Sequence, residues 1–234
     1  MKKVIELKGI SKVFKTEDIA TQALNNIHLS VEEGEFVAIT GTSGCGKSTL
    51  LSILGLIDTP TDGEYLISGN PSFDLSSDQR AFVRANHLGF IFQAFNLISD
   101  LTVLENVILP LTYQEGIKRE DMLARGRKVL EQVNLLNRCD HYPAQLSGGQ
   151  QQRAAVARAL INEPDLILAD EPTGNLDSKN ARQVLELLKS LHEQGKTICM
   201  VTHDTDSTRY ASRTLTLSDG AIVNDRQQAL AEVV

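Results

Sequence analysis

The chain has 234 residues, 41% of them hydrophobic, with three cysteines and a formal net charge of −7. That length suits one large domain or a core with an inserted lobe. An acidic balance with no long basic run argues against nucleic-acid binding, which needs a basic face to neutralise phosphates. The longest nearly apolar stretch, Leu50 to Ile57, is too short to cross a bilayer.

Met1-Lys2-Lys3 runs into the alternating Val4-Ile5-Glu6-Leu7, a strand pattern rather than a leader peptide, so a cytosolic protein is expected. Residues 1–40 are strand-like throughout: Leu24, Ile27, Leu29 and Val31 fall near alternate positions, and Glu33-Gly34-Glu35 turns into the apolar run Phe36–Thr40. Next comes Gly41-Thr42-Ser43-Gly44-Cys45-Gly46-Lys47-Ser48-Thr49, which has the form G-x-x-x-x-G-K-[ST], and then the helix-like Leu50-Leu51-Ser52-Ile53-Leu54. Strand, glycine turn and helix are the context that makes a phosphate-binding loop. The glycines let several backbone N–H groups converge on an anion at a helix N-terminus. Lys47 can then reach β- and γ-phosphates, and the Ser48 hydroxyl can ligate Mg²⁺.

Tyr65-Leu66-Ile67 and Leu88–Phe92 read as further strands, and from Gln93 to about Asn162 the pattern turns helical. Thr102-Val103-Leu104-Glu105 has capping-box form and opens a helix that Pro110 helps to end. A second helix spans 118–133, with Met122, Leu123, Val129, Leu130 and Val133 on its buried face. A third runs through the alanine-rich segment to Leu160. After Pro164 strands return: Leu166–Ala169 and Thr197–Thr202 are continuous apolar-type runs suited to a sheet buried on both faces, with Arg182–Gln194 as the crossover helix. Asp219-Gly220 marks a turn before a short strand at Ala221–Val223. Cys45, Cys139 and Cys199 form no C-x-x-C pair and read as reduced thiols. Cys199 is expected to be core filler. Cys45 is either a small residue that fits the loop or a thiol activated by the helix N-terminus. His28, His87, His141 and His192 read as structural or solvated, and no spacing suggests zinc.

Leu146-Ser147-Gly148-Gly149-Gln150 resembles the signature motif of ATP-binding-cassette (ABC) ATPases, the engine subunits of ABC transporters. The rest of that family's pattern follows in order: Gln93 as the Q-loop, Leu166–Glu171 as the Walker B strand with its catalytic glutamate, Gly174-Asn175-Leu176-Asp177 as the D-loop and His203 as the switch histidine. The resemblance implies an α/β fold: a RecA-like P-loop NTPase core made of 1–92 and 163–234, an antiparallel β region near the N-terminus, and an inserted helical subdomain at 93–162. It implies ATP and Mg²⁺ as cofactors, with Asp170, Ser48 and Gln93 at the metal and Glu171 as general base or water-orienting residue. His203 would donate to the γ-phosphate. Ser147, Gly148, Gly149 and Gln150 would close over the nucleotide held by the phosphate loop of a second copy, in a head-to-tail dimer with Asp177 near the interface.

The family commonly stacks an aromatic side chain on adenine, and Phe14 is the candidate here, with a core phenylalanine as the alternative. A separate integral-membrane permease is the implied partner, putting the protein at the cytoplasmic face of the membrane, peripheral through that partner. Phe95, Leu97 and Ile98 would either receive the permease or pack into the helical lobe. Phe92–Leu97, Leu104–Val107 and Gly174–Ser178 look like the lipoprotein-releasing and macrolide-efflux class. The other reading, a soluble ABC ATPase of DNA repair or translation, usually comes with paired cassettes or long insertions. The signature argues against a kinase, and the missing Asn-Lys-x-Asp pattern argues against a GTPase.

Overall fold

The computed structural model describes residues 2–16, 20–114 and 116–228. β1 (Lys3–Lys15) and β2 (Ala20–Glu32) pair antiparallel, with Leu7 opposite Leu29 and Ile10 opposite Ile27. β3 (Phe36–Gly41) leads through the glycine loop into α1 (Lys47–Leu54). β4 (Asp62–Ile67) and the two-residue β5 (Asn70–Pro71) complete an antiparallel sheet of order β2-β1-β4-β5. Then follow α2 (Ser77–His87), β6 (Leu88–Ile91), α3 (Val103–Ile108), α4 (Arg119–Gln132) and α5 (Gly148–Leu160). The chain closes with β7 (Leu166–Asp170), α6 (Ser178–Glu193), β8 (Ile198–Val201), β9 (Arg213–Ser218) and β10 (Ala221–Gln227). The second sheet has the order β10-β9-β3-β8-β7-β6, and every neighbouring pair in it is parallel except β10 with β9.

Strand side chains alternate between faces, and in this sheet both faces are apolar. Val37, Ile39, Leu166, Leu168, Cys199 and Val201 join one core, shared with α1 and the antiparallel sheet. Phe36, Ala38, Ile167, Ala169, Ile198 and Met200 join the other, packed by α3, α4, α5 and α6. That two-sided burial explains why the central strands read as unbroken apolar runs. Burial also pushes the Cys199 thiol up to about 12, as befits core filler.

Beyond the two-residue β5, which was not read, and β10, which runs to Gln227 rather than Val223, three elements depart from the sequence reading. α2 was not foreseen, because none of its residues is buried and no apolar stripe announces it. Its start is fixed by a capping box between Ser76 and Gln79. β9, rich in threonine and serine, was also missed, although it lies inside the sheet next to β3. The crossover helix α6 begins at Ser178 rather than Arg182, since the Asp177 side chain caps it by accepting from Asn180 N–H at 3.0 Å. Of the proposed buried face of α4, Leu130 and Val133 are buried, while Met122, Leu123 and Val129 pack partly exposed against the core. The Thr102 capping box forms as expected, and the chain past Ile108 continues as a short 3₁₀ turn containing Pro110.

Candidate functional site

β3, β8, β7 and β6 are consecutive neighbours in the parallel sheet, so their carboxyl ends form one edge with strands about 4.8 Å apart. In open α/β sheets ligands bind outside that edge. The sequence puts the phosphate loop after β3, His203 after β8, Asp170 and Glu171 at the end of β7, and Gln93 after β6. Residues as far apart in the chain as Gly41 and His203 are thereby brought to one edge of the sheet.

The glycine loop fits a polyphosphate by its backbone. Gly41, Gly44 and Gly46 have φ of 151°, 78° and 105°, conformations that disfavour any side chain. A Cβ at Gly41 would lie 2.2 Å from the Leu217 carbonyl oxygen, and one at Gly46 2.5 Å from that of Ala23. Lys47 is 7% exposed, and its Nζ donates to the carbonyls of Gly41 at 2.9 Å and Thr42 at 2.8 Å. Thr42, Ser43, Gly44 and Ser48 are exposed around it, with Thr49 half-buried. Cys45 is buried in the core beneath the loop, in keeping with the small-residue reading.

Asp170 is half-buried, and burial, with a further contribution from neighbouring Glu171, raises its carboxyl above the usual range against the opposing pull of Lys47. A carboxylate in that position is poised for a cation. The Ser48 hydroxyl, the Gln93 amide oxygen and Asp170 are hard oxygen donors of the kind Mg²⁺ takes. Among the described residues no cluster of three or more His, Cys, Asp or Glu stands ready to hold a metal. Mg²⁺ is usually held by one or two carboxylates together with substrate phosphates. Such an ion would neutralise charge on the phosphates as the terminal bond breaks.

Glu171 has φ of +42°, an uncommon conformation for a residue with a side chain, fixed by its N–H donating to Val201 C=O at 2.9 Å. Its Oε1 lies 2.9 Å from Nδ1 of His203. The two candidate catalytic groups therefore meet directly, beside a cleft of 760 Å³ lined also by Thr173, Asp204, Ser207 and Tyr210. Asp204 holds the histidine's turn: its N–H donates to Thr202 Oγ1, and its carboxylate accepts from Ser207 Oγ, which keeps the acid below its usual range. Gln93 and Asn175 bond reciprocally, Gln93 Nε2 to Asn175 Oδ1 at 3.4 Å and Asn175 Nδ2 to Gln93 O at 3.0 Å, so the Q-loop is tied to the D-loop.

Ser147 caps α5 in a capping box with Gln150. Gly148 lies against Leu176 and Phe95, and a Cβ on Gly149 would collide with Asn180 at 2.2 Å. Asp177 is exposed, with its carboxyl lowered chiefly by the Asn180 backbone and side-chain hydrogen bonds. Phe14 is 46% exposed with Lys12 Nζ 4.9 Å over its ring, so the core alternative does not hold. Leu97 packs against the helical core, Phe95 is half-buried and Ile98 is exposed. His87 pairs with Asp165, His141 accepts from Arg138 and His192 packs against Phe36, in line with their structural reading.

The sequence reading passed over two buried polar residues, Gln152 and Asn106, and the half-buried Arg158. Gln152 reaches the carbonyls of Phe92 and Pro172, Asn106 holds Ile98, and Arg158 holds Phe95 and Asn96. Gln152 had a signal: it shares a helical stripe with the buried Ala155, Val156 and Ala159, where a polar residue needs a reason.

A glycine loop between a parallel strand and a helix, with a carboxylate at the carboxyl end of another strand of the same sheet, defines a P-loop nucleotide hydrolase. The family model described as ABC transporter matches residues 24–174, and the chain belongs to that family as one of its ATPases. An uncharacterized ABC transporter ATP-binding protein of Methanocaldococcus jannaschii is 54% identical over 220 residues, covering 94% of this chain and 98% of its own. The macrolide export ATP-binding/permease protein MacB of Chlorobaculum tepidum is 48% identical over 227 residues; 96% of this chain aligns, spanning 34% of that longer relative. Among solved structures, a dimeric post-hydrolysis state of the ATP-binding cassette MJ0796 bound to ADP and Pi superposes with a TM-score of 0.87 at 44% identity, over 97% of this chain and 99% of that one.

Proposed function

We propose that this chain is the ATP-binding and ATP-hydrolysing subunit of a transporter, pairing head-to-tail with a second copy around two MgATP to drive a separate integral-membrane permease. The observation that carries this reading is the Glu171–His203 pair, 2.9 Å apart, on the strand ends beside the phosphate loop. Lys47, Ser48, Asp170 and Gln93 bind the phosphates and Mg²⁺, Glu171 orients or deprotonates the attacking water, and His203 donates to the γ-phosphate. Ser147, Gly148, Gly149 and Gln150 act on the partner copy's nucleotide, with Asp177 near that interface. Support comes from the N-terminus of α5, an anion-favouring helix end in each copy besides the phosphate loop, and from the dimeric state of the MJ0796 cassette.

The proposed division is a core of 1–92 and 163–234 with a helical subdomain at 93–162. For the permease, a groove of 1050 Å³ where these parts meet offers a fitting surface. It is lined by Phe82, Phe90, Phe92, Leu109, Pro110 and Tyr113, with Phe82 and Tyr113 largely exposed. No helix among the described residues is long and apolar enough to cross a membrane, so the membrane part would come from that partner. The relatives named for macrolide export carry ATPase and permease in one longer chain. Export or lipoprotein release is the transport class we assign, at the cytoplasmic face of the membrane.

The deciding experiment is a pull-down of tagged Glu171→Gln chain from detergent-solubilised host membranes with MgATP, read by mass spectrometry. Enrichment of one multi-spanning protein is expected. Recovery of ribosomal or DNA-repair proteins instead would overturn the transport reading.

A further inference from the structure

Gln152 is fully buried in the second turn of α5, and the proposed function gives it no role at the phosphates or the metal. Its amide nitrogen donates twice, to the carbonyl of Pro172 at 2.6 Å and to that of Phe92 at 3.4 Å. Phe92 directly precedes Gln93, and Pro172 directly follows Glu171. Two carbonyl acceptors can be met only by the nitrogen of the amide, so its orientation is set by them. The oxygen, Oε1, is left without a partner among the described residues. Burying an unmatched oxygen works against stability, so these two contacts are retained for something other than packing.

The same junction is closed from the other side. Asn175 and Gln93 bond reciprocally, and Gly174 has no Cβ where one would meet the Gln93 amide at 2.6 Å. One side chain thus joins the segment carrying the Q-loop amide, the segment carrying the catalytic carboxylate, and the helix that begins at Ser147. Gln152 lies five residues along α5 from Ser147, about 7 Å at the helical rise.

We infer that Gln152 is a positioning residue: through the carbonyls of Phe92 and Pro172 it sets Gln93 and Glu171 relative to each other and to the signature end of α5. A shift of that helix end, when it meets a partner's nucleotide, is passed by this amide to the chain's own base and metal ligand. The inference rests on the roles proposed above for Glu171, Gln93 and the signature.

The test uses the full chain with Gln152→Met, which keeps the length and volume of an unbranched side chain and removes both donors. Single-turnover hydrolysis of MgATP is expected to fall about 10- to 100-fold, the scale of an ångström-sized misplacement. The half-saturating Mg²⁺ concentration should rise, while MgATP affinity stays within about threefold and the melting temperature within a few degrees. Gln152→His, which keeps one N–H donor, should recover part of the rate. A Gln152→Met rate within twofold of the unsubstituted chain would overturn the inference, as would a loss no larger than the loss of folded protein. Should Gln152→Met fail to fold, Gln152→Glu is measured in the same way: it keeps the size and replaces the donor by an acceptor, so full rate overturns the inference and a loss of the stated size supports it. Glu171→Gln is run alongside. If it too turns over normally, the assignment of the base has failed; if it is inactive while Gln152→Met is not, only the present inference has.

Discussion

Glu171 sits in a left-handed backbone conformation that most side chains avoid, and it is held there by one hydrogen bond to the neighbouring strand and another from a histidine. Strain of this kind persists where surrounding structure enforces it, and here it accompanies a carboxylate set against His203 Nδ1. In the proposed site the half-buried Asp170 would serve the cation and Glu171 the water. Replacing Glu171 by Gln keeps the shape and removes the base. Phosphate release should fall about 10²- to 10⁴-fold with MgATP affinity unchanged, measured by phosphate assay and nucleotide titration; near-normal turnover would remove Glu171 from the mechanism. Phe14 makes a separate residue-scale prediction. Its ring is exposed and has Lys12 beside it, so it is available for stacking. Phe14→Ala should weaken ATP about two- to tenfold, the worth of one aromatic stack, while an unaltered affinity would return adenine recognition to another residue.

At the scale of elements, the turn leading into α3 depends on one asparagine. Asn106 of α3 is fully buried; it accepts from Ile98 N–H at 2.7 Å and donates to the carbonyls of Ile98, Leu101 and Thr102. Arg158 of α5 holds the next stretch upstream, at Phe95 and Asn96, whose φ values of 58° and 51° are themselves uncommon. Asn106→Ala leaves the Ile98 and Leu101 backbone groups without those partners and should cost about 2–4 kcal/mol. A lower denaturant midpoint at an unchanged slope would show it. A loss under about 0.5 kcal/mol would mean that water or a shifted backbone replaces the clamp. These clamps also explain what the sequence could disclose. The phosphate loop, Walker B strand and signature are each contiguous, so spacing exposes the first and resemblance to a family pattern exposes the other two. Gln152 meets carbonyls 20 and 60 positions away, and Arg158 one 63 away. Such partners exist only after the sheet has ordered the chain. α2 escaped for the opposite reason: with none of its residues buried, it leaves no periodic trace, and only its capping box at Ser76 and Gln79 marks where it starts.

At the scale of the whole molecule, one chain carries two anion-favouring helix ends, α1 behind the glycine loop and α5 behind Ser147. A head-to-tail pair would use each loop with the other copy's signature, and this arrangement has a consequence that a single-chain site does not. Lys47→Ala disables the loop. Gly148→Asp sets a carboxylate where the γ-phosphate would be held, at a position whose added Cβ meets the flexible end of Leu176 at 3.3 Å and the Phe95 ring at an ordinary 3.8 Å. Each variant alone has two defective sites per dimer. In a mixed dimer the two lesions fall in the same composite site, and the other site has an intact loop and an intact signature. Mixing the inactive variants should therefore restore hydrolysis, rising with the product of their concentrations and approaching half the per-site rate in heterodimers. Were the loop and signature of one chain to serve the same nucleotide, every site in the mixture would stay broken and no proportion of the two variants would recover activity.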